Sequence, residues 1–273
     1  FVALAFKLSL VPFHLWTPDV YEGAPAPVTA FLATVSKVAV FAILVKIVNV
    51  MPSLMNDGMQ TVVMVIAGLS ILVGNLLALK QTNIKRLLAY SSIAHFGYLL
   101  IVVLISSRLR NEAVAIYLAT YVLSSLVAFG VMVLASSPYG GADADNLHNY
   151  RGLFWTRPYL AALMTVAMLS LAGIPVTAGF IGKFYVVLAT VGAGLWWLLA
   201  ALVIGSALGL YYYLRVMVSM YMLEPGLRRF DAPLDWGRST GGAMLLLACM
   251  LVMLVGVFPQ PLMQVVNLFL FGN

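Results

Sequence analysis

The chain alternates between long apolar runs and short polar connections. A helix needs roughly 20 apolar residues to cross a bilayer. The apolar runs predict about eight transmembrane helices, at residues 1–16, 28–50, 60–79, 84–107, 113–137, 158–189, 194–222 and 241–258. Strands of a membrane barrel would alternate over about ten residues. The continuous runs therefore predict an all-α polytopic membrane protein.

Two of the predicted helices contain residues that interrupt a helix. The first carries Pro12 and Pro18 in "LSLVPFHLWTPD", and the sixth carries Gly173 and Pro175 in "LSLAGIPVTAG". Proline removes a backbone donor and glycine weakens a helix, so we expect both helices to be broken. Both breaks follow the triplet "LSL" five helices apart, which suggests two five-helix repeats of opposite orientation.

Composition agrees with a lipid environment. The chain is 63% hydrophobic and 9% charged, whereas soluble domains are about a quarter charged. The first run lacks the basic start and the cleavage site of a signal peptide, and the missing initiator Met indicates part of a longer membrane protein. Cys249, the one cysteine, lies in an apolar run, which argues against disulfides and thiolate metal sites.

The basic residues predict the orientation and argue against nucleic-acid binding, because they lie in short connections and form no patch. Alternate connections share one side of the membrane. The odd-numbered ones hold Lys80, Lys85, Arg86, Arg151, Arg157, Arg228, Arg229 and Arg238. The even-numbered ones hold Lys46, Arg108 and Arg110. The positive-inside rule therefore places the odd connections in the cytoplasm.

Three lysines lie inside predicted helices. Lys37 is near the midplane, where a charged lysine costs about 2.5–3.5 kcal/mol on insertion scales. Burial disfavours a charged amine and a nearby carboxylate favours it, so such a lysine can load and release a proton. Lys7 and Lys183 each lie beside a break. Snorkelling to the interface conflicts with the depth of Lys37 but stays open for the other two.

Other polar residues allow two interpretations. His95 is either a packing histidine bonded to a nearby serine or carbonyl, or a relay member, because histidine titrates near neutrality. We interpret His14 and Glu22 as structural or interfacial residues and expect Arg215 to reach the interface. The loop "DADNLH" offers Asp143, Asp145 and His148, but its glycine-rich setting makes a metal site the weaker interpretation.

Three segments resemble a known family. They are "KLSLVPFHLWTPDVYEGAPAPVTAFLATVSKVAVF", "QTNIKRLLAYSSIAHFGYLL" and "LSLAGIPVTAGFIGKFYV". They are similar to the antiporter-like subunit N family of proton-pumping NADH:quinone oxidoreductase, the bacterial respiratory complex I, whose mitochondrial counterpart is subunit 2. The resemblance runs over essentially the whole chain, and the first and third segments are highly specific.

The resemblance implies a 14-helix fold with two inverted five-helix repeats, of which this chain is the C-terminal eight helices. Residues 1–273 would form a single membrane domain. Within it, residues 1–57 would end the first repeat with its broken helix. Residues 58–223 would form the second repeat, broken at 158–189, and residues 224–273 would form a C-terminal helix and tail.

The resemblance also implies a proton-translocating subunit in the bacterial inner membrane, with Lys7, Lys37 and Lys183 as a proton relay and His95 as a candidate member. The partner glutamate of Lys7 would lie on an earlier helix that this chain lacks. No cofactor or metal is expected here, because NADH, FMN, iron–sulfur clusters and quinone would belong to partner subunits. The partners would be other membrane subunits, including neighbouring antiporter-like ones, and the lipid bilayer.

Two alternatives stay open. A cation/proton antiporter subunit would share the fold and exchange sodium or potassium for protons, but it calls for a cluster of buried carboxylates that the predicted helices lack. A structural scaffold of a respiratory complex would tolerate neutral replacement of Lys37.

Overall fold

A computed structural model of the chain describes residues 1–105, 107–136, 143–222 and 240–271. The α-helices of this part are α1 (Val2–Leu8), α2 (Trp16–Gly23), α3 (Ala26–Phe31), α4 (Lys37–Val50), α5 (Asp57–Ala78), α6 (Ile84–Val103), α7 (Ser107–Ala135), α8 (Leu153–Thr156), α9 (Pro158–Ala172), α10 (Ala178–Gly192), α11 (Trp196–Tyr221), α12 (Thr240–Val257) and α13 (Gln260–Phe271). A π-helix, Leu32–Ser36, joins α3 to α4. The β-pairing in these ranges is one isolated bridge between Asn83 and Asn146, which confirms an all-α fold for them.

Six helical segments in the described ranges are long and apolar enough to cross a membrane. They are Ala26–Val50, Asp57–Ala78, Ile84–Val103, Leu109–Ala135, Trp196–Tyr221 and Thr240–Val257. Each coincides with a predicted span apart from small shifts at its ends. The first predicted span contains α1 and the turn before α2, and the sixth is divided between α9 and α10.

α6 is the central helix. Inside the protein, 89% of its most apolar window is buried, against 28–56% for the other five long segments. It packs against α2, α5, α7, α10 and α11. Asn83 caps its first turn by accepting a hydrogen bond from Arg86 N at 3.1 Å, which satisfies a donor that a helix start leaves unpaired. A helix surrounded by protein can carry polar side chains that lipid would exclude.

The connections before α3, before α6 and before α8 meet at the N-terminal end of α6. Lys85 Nζ lies 2.5 Å from Asp143 Oδ2, and the same oxygen accepts a hydrogen bond from Ala26 N at 2.8 Å. Lys85 is buried. This pairing matters, because a buried charge without a partner is strongly destabilising.

Arg86 extends this cluster of charges. Its Nη1 lies 2.6 Å from Asp19 Oδ1 and 2.7 Å from Glu22 Oε2. Asn83 donates to Asp145 Oδ2 at 2.8 Å. Glu22 therefore has the structural role expected for it. The aspartates of the "DADNLH" loop contact a cation and amides, and the described residues contain no group of three side chains able to hold a metal ion.

The C-terminal region contains more helix than expected. A tail was predicted after the last span, and α13 begins there, directly after Pro259. Pro261 lies in its first turn, where the missing N–H leaves no helical hydrogen bond unmade. Of the basic residues that predict the orientation, Arg228, Arg229 and Arg238 lie outside the described residues, as does the side chain of Arg108.

Candidate functional site

Lys37 lies inside the protein, as its depth in the apolar run predicts. It is the first residue of α4, is 1% exposed, and donates a hydrogen bond from Nζ to Ser92 Oγ at 2.8 Å. The Ser92 hydroxyl itself donates to Ala89 O at 2.8 Å, so it acts as an acceptor for the lysine. The π-helix Leu32–Ser36 directly precedes Lys37, and such segments are frequent at functional sites.

His95 lies between two tyrosine hydroxyls. Its Nδ1 is 2.7 Å from Tyr117 Oη on α7, and its Nε2 is 3.2 Å from Tyr213 Oη on α11. Tyr213 Oη also hydrogen-bonds with Ser91 Oγ. A neutral imidazole donates through one nitrogen and accepts through the other. This arrangement can pass a proton between the two hydroxyls, whereas a packing histidine was expected to bond to a nearby serine or carbonyl.

Lys183 lies on α10 and contacts the end of α9 across the gap between the two helices. Its side chain is half-buried, and Nζ donates to Ala172 O at 2.7 Å. Ala172 is the last residue of α9, so the ammonium meets the negative end of that helix dipole. Nζ also lies 5.6 Å from the centre of the Tyr98 ring.

One face of α6 connects Lys37 and Lys183. Ser92, His95 and Tyr98 follow each other at intervals of three residues, and three-residue neighbours lie on the same helix face. They cover about 9 Å along the helix axis. Ser92 contacts Lys37, Tyr98 contacts Lys183, and the rings of His95 and Tyr98 lie 5.8 Å apart. The structure therefore brings Lys37, His95 and Lys183 into one polar row.

A small cavity lies between His95 and Lys183. Its volume is about 10 Å³, and polar side chains on its wall include Thr120, Ser124 and Ser170. A polar cavity of about this size can hold one water molecule. A single water there would have hydroxyl partners and would connect the histidine to the lysine.

Lys7 is not part of this row. It lies in the last turn of α1 and is exposed. The chain then turns at Ser9, whose φ of 64° lies in the left-handed region. Ser70 Oγ accepts a hydrogen bond from Val11 N at 3.0 Å, so a buried side chain satisfies the backbone in this turn.

The gap between α9 and α10 depends on glycine. Gly173 ends α9 with φ 81°, a conformation that glycine adopts without strain. Gly179 N donates to Ser170 Oγ at 2.9 Å. A Cβ at position 179 would collide with the Ser170 carbonyl group, so only glycine allows α10 to lie this close to α9.

The substitution Gly179→Ala is therefore expected to destabilise the protein. Overpacking of this kind costs roughly 1–3 kcal/mol, and here the obstacle is backbone. The measurement is the thermal unfolding midpoint of the full-length protein. Gly192→Ala is the matched control, because that residue is on the same helix and has no atom within 4 Å of an added Cβ. Equal midpoints for the two variants would contradict this account of the gap.

Several residues of the row were not predicted from the sequence. Tyr117, Tyr213 and Ser92 reach the site from α7, α11 and α6. The only local signal was the pair Ser91–Ser92, which lies one turn before His95 in "AYSSIAHFGY". The sequence also did not reveal the partners of Arg215. Its guanidinium donates to Leu79 O at 2.8 Å and to Gln81 O.

Comparison with known proteins gives a consistent picture. Residues 1–209 match a family described as NADH:quinone oxidoreductase/Mrp antiporter, transmembrane. The chain is 64% identical over 266 residues to NADH-quinone oxidoreductase subunit N of Ectopseudomonas mendocina (strain ymp), which covers 97% of this chain and 54% of that protein. This chain thus spans about half the length of that curated relative.

Two solved structures have a similar fold. A chain of respiratory complex I from Thermus thermophilus with bound aureothin has a TM-score of 0.82 and 36% identity, over 96% of this chain and 56% of its own length. A chain of the Mrp complex from Dietzia sp. DQ12-45-1b has a TM-score of 0.84 and 20% identity, over 97% of this chain and 57% of its own length. At that identity, the second likeness is one of fold alone.

Proposed function

The chain belongs to the NADH:quinone oxidoreductase/Mrp antiporter family of membrane subunits, and from that premise we propose that it forms the C-terminal part of a proton-translocating subunit of NADH:quinone oxidoreductase. Protons would pass along a relay in which Lys7 is the switch coupled to the rest of the complex. Lys37 and His95 would be central members, and Lys183 the terminal one toward the outer face or a neighbouring subunit.

The observation that carries this proposal is the polar row on α6. Lysine and histidine exchange protons readily, and tyrosine and serine hydroxyls can both donate and accept. Lys37 meets Ser92, and His95 meets Tyr117 and Tyr213, all through hydrogen bonds of 3.2 Å or less. A buried row of such groups is costly in a bilayer. A proton path explains its presence better than a scaffold does.

We further propose eight membrane spans, with α1–α2 and α9–α10 each forming one broken span. The serines of the two "LSL" triplets support an inverted repeat. Ser9 Oγ accepts from Thr17 Oγ1 at 2.5 Å, and Ser170 Oγ accepts from Gly179 N at 2.9 Å. Each serine thus holds a residue eight or nine positions later, across its break. The repeats would end near residues 57 and 223.

The remaining parts of the proposal follow from the family. The subunit would lie in the bacterial inner membrane with the end of α6 that carries Lys85 and Arg86 in the cytoplasm. Its partners would be other membrane subunits, including antiporter-like neighbours. Electron transfer from NADH to quinone, with FMN and iron–sulfur clusters, would take place in partner subunits and drive the relay from a distance.

Proton uptake by inverted membrane vesicles tests the function. With the full-length subunit in its complex, NADH should drive uptake equally well when choline replaces sodium and potassium. His95→Leu should lower the uptake by about a hundredfold, since a positioned proton-transfer group contributes about 10²–10⁴ in rate. Tyr159→Phe is a control at an exposed tyrosine. Uptake that requires sodium or potassium would instead support the cation/proton antiporter. Normal uptake by an assembled His95→Leu complex would contradict proton transfer along the polar row.

A further inference from the structure

We infer that the ring faces of Phe96 and Tyr21 stabilise the charged form of Lys37 and so fulfil the role that a carboxylate has in an ion pair. This inference rests on the proposed relay function, because it concerns how one relay lysine holds its proton. It assigns a part in proton transfer to two aromatic residues that the relay itself does not include.

The geometry places the amine between two rings. Lys37 Nζ lies 5.2 Å from the centre of the Phe96 ring and 5.7 Å from the centre of the Tyr21 ring. Both distances are within the roughly 6 Å at which a ring face attracts a cation. In the described part of the chain, the ion pairs are those of Lys85 and Arg86, so Lys37 has the rings and no carboxylate.

The hydrogen bond to Ser92 and the ring faces both favour the charged form of Lys37. The Ser92 hydroxyl proton is used by Ala89 O, so its oxygen accepts from the amine, and an ammonium donates more strongly than a neutral amine. A neutral amine keeps this hydrogen bond in a weaker form, whereas the attraction of the ring faces is electrostatic and acts on the cation. The rings therefore add to the difference in stability between loaded and unloaded Lys37.

The Phe96 ring has little freedom to move away. It is fully buried and packs against Phe41 at 5.9 Å and against Tyr121 at 5.6 Å between ring centres. Phe96 also follows Ser92 by four residues, which places the hydroxyl and the ring on the same face of α6. Lys37 thus meets both groups from one direction.

The titratable groups linked to Lys37 through ring contacts come from three helices. Tyr21 on α2 lies against the amine, Tyr121 on α7 packs against Phe96, and His95 on α6 packs against Tyr121. A test must therefore change the electron density of one ring and leave these groups and all volumes in place. Fluorination of phenylalanine does so, because each fluorine withdraws charge from the ring face and adds little bulk.

The experiment replaces Phe96 with mono-, di- and trifluorophenylalanine in the full-length subunit by nonsense suppression. Proton uptake is measured in vesicles that contain the assembled complex, as a function of pH. A weaker ring face releases the proton at lower pH. The pH at which uptake falls to half on the alkaline side should therefore move down stepwise, by about one unit over the series, which is about tenfold in proton affinity.

Two controls separate the outcomes. The same series at Phe129, a buried ring that contacts Tyr21 at 6.5 Å, should leave the pH profile unchanged. A flat series at Phe96, while Lys37→Ala abolishes uptake, would overturn this inference and leave the proposed function standing. Normal uptake by an assembled Lys37→Ala complex would instead remove the proposed function, and this inference with it. A shift of the same size at both positions would also overturn it.

Discussion

Lys37→Ala is expected to lower proton uptake through this subunit by about a hundredfold, the smaller end of what a positioned proton-transfer group contributes. Lys37 is 1% exposed, and its amine donates a hydrogen bond to Ser92. Moving one charge across 100 mV requires about 2.3 kcal/mol. A shift of one or two pKa units, about 1.4 kcal/mol each, would let a midplane lysine load and unload.

Two further replacements make this prediction specific. Lys37→Arg keeps the charge but does not release a proton, so it should impair uptake almost as strongly. Lys37→His keeps a titratable group and should retain some uptake. Lys46→Ala is the matched control, an exposed lysine on the same helix. Uptake is measured in inverted vesicles with assembly verified for each variant, and normal uptake by assembled Lys37→Ala would refute the relay role.

Lys183→Met should also lower uptake by about a hundredfold, since a positioned proton-transfer group contributes about 10²–10⁴ in rate. Methionine resembles the lysine side chain in length but has no proton to exchange. It also leaves Ala172 O without its 2.7 Å donor, which costs about 1–3 kcal/mol of stability. The measurements are proton uptake and the thermal unfolding midpoint of the assembled complex.

Lys183→Arg separates the two roles of this residue. A guanidinium can donate to the same carbonyl but stays charged, so it should restore the unfolding midpoint without restoring uptake. Lys80→Met, at an exposed turn residue, should change neither quantity. If Lys183→Arg restores uptake together with stability, the residue only holds the gap between α9 and α10.

The spans were predictable because apolar length is a local property of a sequence. The partners of the proposed relay residues were not predictable. His95 meets Tyr117 and Tyr213, which are 22 and 118 residues away. A tyrosine in an apolar run is equally typical of the belt at a membrane interface. Only the packing of α6 against α7 and α11 shows that these two lie inside.

The partners of Arg215 illustrate the same limit. The sequence around it is rich in tyrosine, which favours an interfacial position, and that position stays a prediction. Its guanidinium donates to Leu79 O and Gln81 O, just after the end of α5. The carbonyls at a helix end are acceptors that the sequence pattern does not reveal. The gap after α9, by contrast, was predictable. Gly173 ends the helix through its own backbone conformation, which depends on the residue itself and not on a distant partner.

The contact of Asp143 with Ala26 and Lys85 has a consequence for biosynthesis. The chain is made from its N-terminus, and Asp143 is 117 residues beyond Ala26. At about 5–20 residues per second, that delay is roughly 6–23 s. During this time the N-terminus of α3 lacks its acceptor. Lys85 is made 58 residues before Asp143, so its ammonium lacks the carboxylate for roughly 3–12 s. The contacts at the N-terminal end of α6 can therefore form only after α7 has been synthesised. Until then, the nascent helices are free to adjust their packing.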